Sequence, residues 1–407
     1  MRDPPKVKKM AKAPIGHSGA VREYLASHGG PFFLLQKKLG LLEDHALHAR
    51  RRAIIFIGLA WFAPFLLALP QSLSLDRADP QPFLLDVGAW AKFFLAIGAF
   101  TLAEKQVEDG LRHRLRQLLA APIIAPSSMP LAIDAVDTAL DRRNSHVAEA
   151  VCLALAFVAA AIAFRHLHVV GVSSWAVTAT PGGNRVMLAG WWFVFVSMPL
   201  FWFLALRGMW RHVVWSLLLR SLAQLELRLV STHPDGKGGI AFIGDYPNAY
   251  ATFIFGLSCA VAAAVAKSLL NDTASLTNIS ILMTGWLALV MALFALPLGM
   301  FSVPLSTLKT DTMARLGIQA TRYQRLTERK LLGTNTIADS AAEAEEFQDV
   351  ADPAKQYDAT KKLSIFLLNR SALWPLALAA LLPFAAVASI RVPFEDVFSL
   401  LKKLLLL

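Results

Sequence analysis

Charge is scarce in this chain: Asp, Glu, Lys and Arg make up 17% of its 407 residues, where a soluble domain carries about a quarter. That deficit excludes an ordinary soluble fold. Only two cysteines occur, Cys152 and Cys259, and both fall inside apolar runs, so no disulfide framework is implied. The chain has no H-E-x-x-H, Walker A, G-x-S-x-G or C-x-x-C pattern, which removes the motif-borne routes to zinc, nucleotide, nucleophilic and redox chemistry. No metal and no cofactor is expected, and the balance tips away from an enzyme. A cleaved leader is also missing: about fifty polar and amphipathic residues precede the first apolar run, so the first span should act as an uncleaved anchor.

What the chain has is apolar length. Hydrophobic residues reach 56% and gather in blocks of roughly twenty, the length that crosses a hydrocarbon core of roughly 30 Å. Seven spans are expected: Ala53–Leu69, Phe83–Leu102, Ala148–Phe164, Met187–Leu206, Ala249–Leu269, Ile281–Val303 and Leu373–Ile390. The fold class is therefore all-α, a polytopic transmembrane helix bundle. With the amino terminus inside, the four inner segments (1–52, 103–147, 207–248 and 304–372) hold 11, 6, 5 and 10 Lys and Arg, while the three outer loops hold Arg77, Arg165 and Arg185. This asymmetry predicts a bacterial-type inner membrane with a cytoplasmic amino terminus. It also accounts for the net charge of +11 without a nucleic-acid partner.

The organisation expected is a basic amphipathic segment (1–52), a six-span bundle (53–303) with inner hairpins at 103–147 and 207–248, a helical hairpin (304–372), and a last span with an amphipathic tail (373–407). Pro31–Arg52 reads as a helix lying on the membrane surface. No proline lies between Pro199 and Pro234, so the fourth helix could run to Val230, roughly 65 Å in all. The acidic run Asp339–Asp352 is placed to pair with Arg322, Arg325 and Arg329, and a return helix should lead from Pro353 into the last span. The tail after Pro393 lies outside if the seventh segment spans, and inside if Pro375 and Pro383 make it re-enter.

The stretch richest in turn formers is Leu229–Tyr250, where His233, Asp235, Lys237 and Asp245 surround Gly236, Gly238 and Gly239. An imidazole, two carboxylates and an amine among glycines could bind a headgroup, a phosphate or a partner. The plainer alternative, a helix stop followed by a helix start with its polar groups in water, is favoured about two to one, because the spacing matches no phosphate loop. His233-Pro234-Asp235 is similar to the signature of J-domain co-chaperones over three residues, but the soluble hairpin of that family is absent and its function is not carried over.

Within the membrane, Lys92 stands near the middle of the second span. A charge there costs about 2.5–3.5 kcal/mol on insertion scales, which suits a wet cavity as well as a lysine snorkelling past Asp86. Lys92 with Asp86 is the candidate intramembrane polar site. Alanines in the third span and small residues in the fifth suggest that these two form the bundle's centre. Gly110-Leu111-Arg112-His113 and Gly208-Met209-Trp210-Arg211-His212 resemble one another at matching places in two extensions. His166 and His168 lack further ligands at known positions, so solvent-exposed histidines are expected.

Three functions follow from these residues. The first is a non-enzymatic membrane protein whose inner extensions bind a protein partner or assemble into a homo-oligomer, with the lipid bilayer as surroundings. The alternative is a solute or ion transporter or channel with Lys92 lining the pathway. A third is an enzyme acting on lipid through His233 and Asp235.

Overall fold

The computed structural model describes residues 29–42, 47–72, 82–169, 175–180, 183–270, 276–339 and 351–389, with 395, 399 and 402–404 of the tail. Among them, seven helices are long and apolar enough to cross a membrane: Ala49–Pro70, Val87–Ala120, Pro126–Arg165, Leu188–Ala223, Ala241–Ala266, Ser280–Gly299 and Arg370–Ala388. The chain is an all-α, multi-pass membrane protein. Four further helices lie outside the apolar runs: α1 (Pro31–Lys38), α2 (Met129–Arg143), α3 (Ser302–Leu332) and α4 (Ala354–Lys361). Helix α2 belongs to the third stretch but is separated from its apolar part, His146–Val169, by a break at Asn144 and Ser145.

Burial decides which spans are central. Of the apolar window in each, 61% is buried in the fifth span and 56% in the second and fourth, but only 22% in the third. The expectation that the third helix shares the centre is corrected. Its small residues serve one contact line, with Ala156 and Ala160 buried against the fourth span, while Leu153, Phe157, Val158 and Ile162 face outward. A lipid-facing helix meets a solvent as apolar as leucine, so an outward apolar face costs nothing there. The fifth span approaches its neighbours at glycine: a Cβ on Gly110 would meet Ala249, and one on Gly208 would strike the Phe253 ring. The two look-alike segments thus share a job, since each carries the residue that lets an extension close on the start of the fifth helix.

The extensions of the second and fourth spans do not stand free. Leu111, Leu115 and Leu118 from one, Val214, Trp215, Leu218 and Leu222 from the other, and Val136 of α2 are all buried in a single core. They form a lobe continuous with the bundle, at the end where the basic connections lie. The fourth helix stops at Ala223, not at Val230. Backbone groups beyond it pair elsewhere, Glu226 O accepting from Ala125 N at 3.0 Å and Arg228 N donating to Ile123 O at 2.6 Å, with an isolated bridge between Ile124 and Leu227. A strand-like contact replaces the last helical turns because the 121–125 stretch offers unpaired backbone groups.

Three further differences concern connections. Residues 177–186 include an antiparallel pair, β1 (Val177–Thr180) with β2 (Gly183–Val186); sequence reading treated this stretch as loop. The helix after Pro353 is only α4, and residues 363–369 are non-helical up to the last span. Helix α1 ends at Lys38, with Phe33 and Gln36 buried, while Leu34, Leu35 and Leu39 remain exposed. The acidic run is described only at its ends: Arg329 meets Asp339 at 2.7 Å, and 340–350 lies outside the described residues. Of the tail, Leu404 packs with Met283, Leu381 and Phe384; the remainder of the expected amphipathic helix is mostly outside the described residues, as are the side chains of His166 and His168.

Candidate functional site: a buried charge cluster and the central loop

At the level where the apolar runs of the first four spans meet the lobe, five charged side chains converge. Arg52 stands in the first turn of the first span, Glu104 on the second, Glu149 at the start of His146–Val169, and Arg207 and Arg211 one turn apart on the fourth. Glu104 is the hub. Its Oε2 accepts from Arg52 Nη1 at 2.6 Å, and its Oε1 from Arg207 Nη1 at 2.8 Å and Arg211 Nη1 at 3.3 Å. Glu149 Oε1 accepts from Arg207 Nε at 2.9 Å. Arg52 and Arg207 are almost wholly buried, at 1% and 3% exposure.

Helix α1 completes the cluster. Its Phe32 N–H donates to Glu149 Oε2 at 2.8 Å, Gln36 Oε1 accepts from Arg52 Nε at 2.5 Å, and Arg207 lies 5.2 Å over the Phe32 ring. Gly30 makes this entry possible: its φ is +87°, and a Cβ there would collide with the Glu149 carboxylate. A cavity of about 30 Å³ beside Glu104 and Arg211 has room for a single water.

The central loop lies in the same half of the molecule and is held by its own polar groups. Asp235 Oδ1 accepts from Lys237 N at 2.8 Å and Gly239 N at 3.1 Å, Oδ2 accepts from Ala241 N at 3.1 Å, and His233 Nδ1 lies 2.9 Å from Oδ1. Burial by itself raises the Asp235 pKa, but the three amides and His233 together outweigh it and hold the carboxyl below its ordinary value. The Lys237 ammonium turns the other way, donating to Leu367 O at 3.0 Å, Leu368 O at 2.8 Å and the Asn369 side chain. Burial lowers the Lys237 pKa, and Asp245 and Asp235 partly offset it. Asp245 is tied in through Asn369, whose Nδ2 donates to Asp245 Oδ1 at 2.7 Å and Ala241 O at 3.0 Å.

The structure therefore brings all four predicted loop residues into one hydrogen-bonded unit that clasps the 363–369 link. Asn369 and the carbonyls of Leu367 and Leu368 were not legible as members. Lys92 and Asp86 sit at the opposite end of the second span from its lobe. Asp86 caps the helix, accepting from Gly88 N at 2.8 Å and Ala89 N at 3.2 Å, and takes the Trp175 indole N–H at 2.8 Å. Lys92 is half-buried within a π-helical stretch, Trp90–Ala96. Two more π stretches, Gly58–Phe62 and Phe193–Ser197, pack beside each other at this level. Such turns misalign backbone carbonyls, and here Ser197 Oγ donates to Ala60 O at 2.7 Å and Trp192 Nε1 to Leu59 O at 2.9 Å.

Among the described residues, no group of three or more His, Cys, Asp or Glu is placed to hold a metal. The chain matches no protein-family model, no curated protein and no solved structure.

Proposed function

We propose that this multi-pass protein is non-enzymatic and presents helix α3 from a rigid membrane base as a docking element for a protein partner or a second copy of itself. The observation that carries this reading is the exposure of α3. It is 31 residues long, roughly 46 Å at the α-helical rise, and Leu305 is the one residue of it buried. Ile318, Leu331 and Leu332 on this helix, and Ile337 just beyond it, expose 58–78% of their surface. Leu331, Leu332 and Ile337 fall together at the far end of the helix and Ile318 roughly 20 Å before them, and exposed aliphatics on an extramembrane helix are suited to a protein surface. Its basic end lies on the cytoplasmic side of a bacterial-type inner membrane in this reading, since the Lys and Arg bias favours that side. The test is co-purification in mild detergent, comparing the native chain with Ile318→Glu/Leu331→Glu. The substituted protein should lose a bound partner or a larger oligomeric form. An unchanged set of companions and an unchanged oligomeric state would refute the docking role.

The transporter alternative draws support from Lys92, which lies in one of three adjoining π stretches, since irregular turns of this kind recur at functional sites. Lys92→Ala abolishes flux of a solute if this alternative holds, and leaves complex formation intact.

A further inference from the structure

A cleft of about 480 Å³ runs between the sixth and seventh spans. Thr284 and Ala295, eleven residues apart on one helix, mark its length along the sixth span; at the α-helical rise that is roughly 16 Å, about half of a hydrocarbon core of roughly 30 Å. It is about as long as one acyl chain. Its walls are apolar, and the Thr284 hydroxyl is spent on the Ser280 carbonyl at 2.8 Å. Arg370, at the first turn of the seventh span, is the single charged residue lining it among the described residues. Arg370 is exposed and has no ion pair among the described residues, and one turn further on Trp374 exposes 45% of its surface. A guanidinium and an indole at the start of a span are the groups that settle at headgroup level.

We propose that this cleft is a binding site for one anionic phospholipid, with an acyl chain along the sixth span and the phosphate on Arg370. Three observations converge on that occupant. The length fits one acyl chain, the apolar walls fit hydrocarbon, and the mouth holds a cation. Among the described residues no carboxylate lines the cleft, so the ammonium of a zwitterionic headgroup meets no counter-charge from them, whereas a net negative headgroup is complemented by Arg370. The proposal is independent of the docking role of α3.

The full chain, purified and placed in phosphatidylcholine vesicles, is probed with a minor fraction of phosphatidylglycerol or phosphatidylcholine carrying brominated acyl chains. Bromine quenches indole fluorescence at short range, and the contribution of Trp374 is taken as the difference between the native chain and Trp374→Phe. Brominated phosphatidylglycerol should quench Trp374 up to about fivefold above brominated phosphatidylcholine, the preference that one arginine gives at an anionic headgroup layer. Arg370→Gln should make the two lipids equal. Ala288→Phe, at an exposed position on the cleft wall, should remove the preference by filling the cleft while the fold is kept. Equal quenching by both lipids in the native chain overturns the proposal, as does a preference that survives Arg370→Gln. Absence of quenching by either lipid also overturns it, because the cleft is then filled by another segment of the chain.

Discussion

Glu104 neutralises more buried charge than any other single carboxylate in the cluster, since three guanidiniums reach it. Buried ion pairs add little net stability while intact, but removing one partner strands the others in a medium of low dielectric, at about 3–5 kcal/mol. Glu104→Gln should therefore lower the unfolding temperature in detergent markedly, and Glu149→Gln, which releases one guanidinium and the Phe32 amide, should lower it less. Equal unfolding temperatures for Glu104→Gln and the native chain would show that the cluster bears no such strain. Asp235 gives a pH prediction with a definite sign. Its pKa in the fold lies below its ordinary value, so the loop gains stability above the unfolded pKa, about 3.9, and loses it as pH falls through the lower folded value. Deuterium uptake over residues 236–245, corrected for intrinsic exchange, should rise below pH about 4 in the native chain. Asp235→Asn should be without that acid step. The cluster left a trace in the sequence that single-span arguments pass over. Arg52, Glu104, Glu149 and Arg207 each fall at an end of an apolar run, in four consecutive spans. Taken one at a time, these residues read only as the charged ends of their own spans. Only charges of both signs compared at one depth reveal them as partners.

At the scale of elements, the sixth span, with Pro297 inside it, shows how one residue's defect is repaired by others. Pro297 has no N–H, so Leu293 O loses its helical donor. His212 Nε2 lies 3.2 Å from that oxygen, and because a carbonyl only accepts, Nε2 carries the proton. Tyr246 Oη donates to the next carbonyl, Phe294 O, at 3.3 Å. His212→Phe should thus destabilise the native chain by about 1–3 kcal/mol, the cost of an unpaired buried acceptor. In a Pro297→Ala background the restored amide supplies the missing donor, and the same substitution should cost less. Additive losses in that double-mutant cycle would remove the coupling. The link before the seventh span obeys the same logic. Lys237→Met leaves the Leu367 and Leu368 carbonyls without their ammonium, and residues 362–369 should become cleavable by protease under conditions in which the native link resists. The helices themselves were readable because apolar length and proline position act locally. Their terminations were less so: Ala223 ends the fourth helix through pairing with residues a hundred positions earlier in the chain.

For the molecule as a whole, orientation is the prediction on which the cytoplasmic docking role rests. Single cysteines at Gly182 and Gly236, introduced after replacing Cys152 and Cys259, should react from opposite faces with a membrane-impermeant thiol reagent. Gly182 should label in intact cells and Gly236 only after permeabilisation; labelling of Gly236 from outside would invert the map. Seven spans, an all-α fold and a strong charge bias between connections follow from the sequence alone, because each reflects the one-dimensional requirement that a helix match the bilayer and shed charge into water. Which spans are central, that α1 enters the bundle, that two extensions fuse into a lobe, and that five charges share one buried site were decided only in three dimensions. Those outcomes depend on which faces meet. A composition of small residues permits close packing on any side, whereas a contact such as Glu104 with three arginines exists only once four helices have chosen their neighbours.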